Sequence, residues 1–289
     1  MAYKIRLKNH RGDVVNLTSS PRWQMVKAEG LTPVDADINL SENANTDGGY
    51  FRSSRLGERN IVLTLYLNNN AEANRLELYK YIKTKKPVTL YIDTNYRHVY
   101  INGYVESLSA GIFDKKEKVQ ISIICPNPYF LNENESVGDF AYTQDELEFP
   151  LDLPEEGLSF GSIINETEIN IHNGGDVETG MLIHFYVDAP DIQFPTLWND
   201  AGQGIGLNLG VSGFGNDFYI DTRQGQKRAW KIYQGEEINI TNAVMLKNTN
   251  SWLQLEAGDN VMTYGNDGAT EYPQSIRCDV RFYERYEGV

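Results

Sequence analysis

Arg59-Asn60-Ile61-Val62-Leu63-Thr64-Leu65-Tyr66-Leu67 decides the fold class. Ile61, Leu63, Leu65 and Leu67 recur at every second residue, so all four leave one face of an extended chain. A helix would scatter them around its circumference. The stretch reads as a half-buried β-strand, and its surroundings repeat the pattern. Upstream, Tyr3–Leu7 places Ile5 and Leu7 on one face, and Asp13–Leu17 reads as its hairpin partner across His10-Arg11-Gly12. Trp23–Lys27 and Ala36–Leu40 are further strands. Ser41–Ser54 is polar, contains Gly48 and Gly49 and has no apolar period, so it reads as a long loop or β-arm.

Downstream the period changes once. Ala71–Thr84 places Leu76, Tyr79 and Ile82 at three-residue spacing and predicts a helix, with Asn70 as its cap. Lys83, Lys85 and Lys86 fall where the helix dipole favours cations, and Pro87 stops the element. Strands resume at Val88–Ile92, Val99–Leu108 and Val119–Ile123, with the charged turn Asp114–Lys118 between the last two. Pro126 and Pro128 exclude a central strand and close this first domain, residues 1–135. Residues 136–165, acidic and broken by Pro150, Pro154 and Gly157, read as a connector with some order of its own.

Residues 166–289 show strands and turns only. Glu168–Ile171, Met181–Val187, Gly206–Leu209, Asp217–Asp221, Ala229–Tyr233, Trp252–Leu255, Asn260–Tyr264 and Arg277–Tyr283 predict an antiparallel β-sandwich. The fold class is mainly β, with one helix.

Charge separates the two halves. Residues 1–135 carry 18 Lys/Arg against 15 Asp/Glu, a balance of +3, and residues 136–289 carry 8 against 25, a balance of −17. The acidic half repels phosphate backbones, so sequence-specific nucleic-acid binding is not expected. A chain of 289 residues suits two domains. Its two cysteines, Cys125 and Cys278, fall in different domains and make no disulfide framework. Met1–Leu17 does not read as a signal peptide, and no run approaches a transmembrane span. The expectation is a protein folded in a cytosol with no membrane association.

Reaction chemistry is not legible. His10, His98, His172 and His184 have no metal-ligand spacing, although His172 and His184 fall on consecutive predicted strands. No nucleophile elbow or phosphate-binding loop occurs, and Gly202-Gln203-Gly204-Ile205-Gly206 opens no helix, so it reads as a turn between strands. Asn266-Asp267-Gly268 reads as a hairpin turn rather than a calcium loop. Neither catalytic residues, nor a metal site, nor a cofactor are expected. Trp252, beside Leu253 and Leu255, is expected in the core. Trp198, in the loop sequence Phe194-Pro195-Thr196-Leu197-Trp198-Asn199-Asp200, is the candidate exposed aromatic, with packing or a protein contact favoured over a sugar contact.

Several stretches taken together resemble the distal tail proteins of long-tailed phages. These are Asp47-Gly48 followed by Gly57-Glu58-Arg59-Asn60-Ile61-Val62-Leu63; Pro126-Asn127-Pro128-Tyr129-Phe130; Asn173-Gly174-Gly175-Asp176 with Glu178-Thr179; Ile220-Asp221-Thr222 with Gly225 and Lys227; Ser251-Trp252-Leu253-Gln254-Leu255 with Gly258-Asp259-Asn260 and Tyr264; and Phe282-Tyr283 with Tyr286-Glu287-Gly288-Val289. The resemblance implies an N-terminal ring-forming (belt) domain and a C-terminal galectin-like sandwich. It also implies a homo-oligomer, a hexameric ring at the distal end of the virion tail. The tail tube protein docks above that ring, and a tail-associated fibre or lysin protein docks below. On this reading the chain is a structural hub and not an enzyme, and Asp47, Gly48 and Arg59 join Trp198 as candidate interaction residues. The alternative is a carbohydrate-binding module for host recognition that uses the galectin-like half.

Overall fold

The computed structural model describes residues 3–45, 47–145, 161–165, 167–187, 192–209, 216–266 and 276–289. The chain divides into two compact units, Met1–Glu133 with Arg285–Val289, and Asn134–Glu284.

The first unit contains β1 (Lys4–Asn9), β2 (Val14–Asn16), β3 (Trp23–Glu29), β4 (Ala36–Glu42), β5 (Gly49–Leu56), β6 (Arg59–Leu67), α1 (Ala71–Tyr81), β7 (Pro87–Asp93), β8 (His98–Ala110), β9 (Lys118–Cys125) and β10 (Phe130–Asn132). Its main sheet is antiparallel, in the order β2–β1–β7–β8–β9–β6–β3, and β10 joins β8 to the short C-terminal strand Arg285–Tyr286. β6 behaves as its alternation requires. Ile61, Leu63 and Leu65 are completely buried, and in register they face Ile123, Ile121 and Val119 of β9. Each such side chain removed from water stabilises the unit by about 1.5–3 kcal/mol.

The helix departs from its sequence reading. It ends at Tyr81, and Asn70 sits at its cap position in the left-handed region (φ 52) without a side-chain capping bond. Leu78 and Ile82 are buried, whereas Leu76 is half exposed. Leu78 is buried from within the helix and Ile82 from its extended C-cap (φ −108, ψ 112), while the predicted face followed a three-residue spacing that drifts around the helix.

Ser41–Ser54 is the arm rather than a loop. β4 and β5 pair with each other from Ala36 opposite Leu56 to Glu42 opposite Gly49. They form a two-stranded sheet of their own.

The second unit contains β11 (Ser136–Asp139), β12 (Ala141–Asp145), β13 (Gly161–Asn165), β14 (Glu168–Asn173), β15 (Met181–Val187), β16 (Pro195–Asn199), β17 (Gly204–Leu207), β18 (Asn216–Asp221), β19 (Arg228–Tyr233), β20 (Glu236–Asn239), β21 (Val244–Lys247), β22 (Gly258–Asn266) and β23 (Ile276–Phe282). Two antiparallel sheets, β11–β23–β15–β18–β19–β20 and β14–β22–β16–β17–β21, contribute side chains to one core. Met181, Ile183, Phe185 and Val187 come from one sheet; Ile171, Leu197, Ile205 and Met262 come from the other. This is the antiparallel β-sandwich that the alternation predicts.

The boundaries differ from the sequence reading at both ends of this unit. β11 is a strand of the sandwich and β12 pairs with β13, the order that the connector was expected to have in part; residues 146–160 lie outside the described residues. The last five residues belong to the first unit, where Tyr286 joins the core. Trp252–Leu255 forms no regular strand; Leu255 only bridges to Thr179, and both Leu253 and Leu255 are buried. Asp267 and Gly268 of the expected hairpin turn lie outside the described residues.

Candidate assembly surface

Arg59 illustrates how a charged residue leaves the surface. It is 1% exposed, the largest completely buried side chain among the described residues. Its guanidinium donates to four backbone carbonyls, those of Pro128, Gly30, Thr32 and Glu287, each at 2.6 Å. It also lies 4.5 Å over the Phe130 ring. Burial pulls its pKa down, but from a value so far above neutrality that the cation persists. Arg59 is therefore a cross-brace inside the first unit, unavailable to a partner. Gly30 is part of the same arrangement: at φ +80, a Cβ there would lie 2.1 Å from the Asn60 carbonyl oxygen.

Asp47 and Gly48 sit at the tip of the β4–β5 arm and are exposed. Gly48 takes φ +86, which the turn requires. The arm's apolar content is the more telling feature. Ile38, Leu40, Tyr50 and Phe51 are between 56% and 66% exposed, and Leu40 faces Phe51 across the ribbon. The cross-strand pair Arg55–Asp37 is exposed and holds little. A lone two-stranded ribbon is marginal in water, and exposed apolar side chains beside unpaired strand edges mark an association surface. The main sheet offers matching edges. β2 and β3 end its hydrogen-bonded path, and each carries an exposed valine, Val14 and Val26. The sequence reading missed the apolar side of the arm because Gly49, Ser53 and Ser54 dilute it.

Trp198 is not in an exposed loop. It lies on β16, half buried, opposite Gly204. A Cβ on Gly204 would lie 2.6 Å from the indole Cδ1, so this glycine makes room for the ring. Trp198 is thus partly packed within its own sheet, within the packing-or-contact reading of the sequence.

The second unit holds a polar array that the sequence did not reveal. His172 and His184 are on different sheets, β14 and β15, as two ordinary sheet histidines rather than a pair. His172 meets Asp259, and His184 bridges two strands: Nδ1–H donates to Asp279 of β23 at 2.6 Å and Nε2–H to Asp217 of β18 at 2.7 Å. Both nitrogens donate only in the imidazolium form. Burial opposes that charge, but the hydrogen bonds and charges of Asp279 and Asp217 outweigh it and raise the pKa of His184. The His184 ring stacks on Tyr219 (4.5 Å, 8°), Tyr219 stacks on Trp230 (5.2 Å, 11°), and Arg228 lies 4.2 Å over Trp230. The two faces of Tyr219 are thus taken by its neighbours, which leaves no bare ring platform there for a sugar.

Among the described residues, no group of three or more His, Cys, Asp or Glu side chains is arranged to hold a metal ion. Cys125 and Cys278 are buried and free; burial pushes the Cys125 thiol up to about 12 and Cys278 well above its usual value, so neither is a ready nucleophile. No helix of the described residues is long and apolar enough to cross a membrane.

Residues 10–141 match the family described as the phage tail protein RIFT-related domain. No curated protein matches in sequence. The structure is similar to that of the SPP1 Dit (gp 19.1) protein, described as a paradigm of the hub adsorption apparatus in phages infecting Gram-positive bacteria, with TM-score 0.65 and 14% identity over 99% of both chains. It is also similar to chains of the phage P2 baseplate in its activated conformation, with Ca (TM-score 0.52) and with Sr (TM-score 0.53), at 13% identity over 100% of both chains. At these identities the likeness is one of fold.

Proposed function

We propose that this chain, with its phage tail protein RIFT-related domain and a fold shared with tail-tip hub proteins, is a structural subunit of a phage tail tip. It assembles as a closed, hexameric ring that joins the tail tube to the fibre or lysin proteins beyond it. The observation that carries this reading is the β4–β5 arm, which presents Ile38, Leu40, Tyr50 and Phe51 to solvent. Heterologous contacts repeated around an axis close without leaving free edges, and an arm from one subunit meeting a sheet edge of the next is such a contact. The second unit, galectin-like in this reading, is the solvated acidic periphery of the hub.

The array on the second unit is structural in this account. Its rings and carboxylates satisfy one another, as in a surface that braces a sheet. No catalytic role is assigned to the chain, in keeping with its tail and baseplate relatives.

The test is the paired substitution Leu40→Asp and Phe51→Asp. Both side chains are exposed, so folding and thermal stability should be unchanged while oligomers dissociate to monomer in a light-scattering measurement of mass. Oligomers that persist unchanged in the variant would remove the arm from the assembly contact.

A further inference from the structure

The outer face of the first unit's sheet carries a groove of about 460 Å³ that the assembly reading does not use. Asn9, Val88 and Gly103 in its lining are buried, whereas Lys8, Pro87, Asn102, Tyr104 and Pro126 are exposed. Adjacent strands fix these positions, with Lys8 opposite Thr89 and Thr89 opposite Asn102. Among the described residues, no carboxylate lines it.

The charges around the groove are unequally satisfied. Arg6, one step along β1, is paired with Asp93 and Glu133, and Arg11 is paired with Asp13. Lys8 is different. Among the described residues, its ammonium, the His10 ring and the Tyr104 hydroxyl meet no hydrogen-bond or ion-pair partner. Tyr104 is 52% exposed. Thr89 donates to the Asn102 carbonyl oxygen at 2.8 Å, which aligns that amide and leaves its NH₂ group free to donate.

We propose that this groove binds a short, acidic, extended polypeptide segment of a partner protein. Lys8 takes a carboxylate. The Asn102 amide donates to a backbone carbonyl. Tyr104 and the prolines pack against apolar or proline side chains, as aromatic grooves do with extended chains. One unpaired cation in a groove this short suits a peptide carboxylate, whereas a nucleic-acid strand needs a run of cations along its backbone.

The probe is the synthetic peptide acetyl-Glu-Pro-Leu-Glu-Pro-Leu-Glu-amide, titrated into the full chain by calorimetry at low salt. Replacing its glutamates with glutamine should weaken binding about tenfold or more, as should Lys8→Ala, since a charged pair is lost in each case. Tyr104→Ala should weaken it as well, and Lys115→Ala should not. Both groove side chains are exposed, and matched melting curves for the variants verify their folding. A second readout on the unaltered protein is the NMR shift of the Asn102 side-chain amide on titration. Equal binding of the two peptides, binding indifferent to Lys8→Ala, no binding, or tighter binding of oligothymidylate would each overturn the proposal.

Discussion

At the scale of single residues, two buried or half-buried charges carry much of the specificity of the fold. Arg59 ties together four backbone carbonyls that lie far apart in sequence, from Gly30 to Glu287. Arg59→Met leaves those oxygens without donors. It is expected to cost about 3–5 kcal/mol in urea denaturation, with Arg59→Lys failing to restore it because three donors on a point cannot match the guanidinium fork. His184 makes stability pH-dependent. Its folded pKa is raised, so its contribution is complete below the unfolded value of about 6.5 and fades as pH rises through the folded value. Asp279, its partner, is lowered: burial works against its charge, but the hydrogen bond and charge of His184 and the charge of Arg281 prevail. The stability difference between the unaltered protein and His184→Gln should therefore be about 1 kcal/mol near pH ~6 and shrink steadily toward pH ~9. A difference that grows with pH would contradict the imidazolium assignment. Neither role was legible in the sequence. Arg59 lies in the stretch that decides the fold, but its burial depends on residues up to 228 positions away. The two carboxylates that hold His184 come from strands 33 and 95 positions distant. The quoted resemblance stretches were informative for a related reason. Asn173, Thr222 and Asn260 within them are buried and hydrogen-bonded to backbone, so they pin turns of the second unit.

At the scale of elements, alternation was a sound guide wherever one face is buried. β6, β9, β15 and β23 all follow it, with buried residues at alternate positions along most of their length. It was blind in three kinds of place. β16 reads as a loop because Pro195 begins it and its first three residues are all buried, leaving no alternation to see. β20 and β21 contain no completely buried residue, so they show no apolar period. The helix was detected but rotated. Leu78→Ala should cost about 2–5 kcal/mol in thermal or chemical denaturation and Leu76→Ala about 0.5 kcal/mol or less, reversing the order that the three-residue spacing suggests. The arm belongs to this scale too. Its strands are recognisable, but sequence alone does not say that its apolar residues point to solvent. Their exposure among the described residues shows that.

At the scale of the whole molecule, the second unit is inserted in the first as far as the chain path is concerned. The chain completes residues 134–284 and then returns five residues to the first core. Tyr286 is 8% exposed there, and the Glu287 and Gly288 carbonyls accept hydrogen bonds from Arg59 and Arg97. Removal of residues 285–289 should lower the melting temperature of the first unit, seen as loss of amide protection in β6 and β10 by hydrogen exchange, while β15 and β23 stay protected. A sequence reader places the terminus with its nearest neighbours in the chain, and no local pattern signals the return. The charge asymmetry was legible from the outset: the inserted unit, residues 134–284, nearly coincides with the acidic half, while the first half is nearly balanced. Balance suits subunits that pack against copies of themselves, because like charges in a repeated contact would add around a ring. The central claim is that this chain is a ring-forming hub subunit. The most direct test is negative-stain electron microscopy of the purified protein, with mass by light scattering across a range of concentrations. The account predicts closed rings of about six subunits with an open centre; a protein that stays monomeric at every concentration, alone and with its tail tube partner, would contradict it.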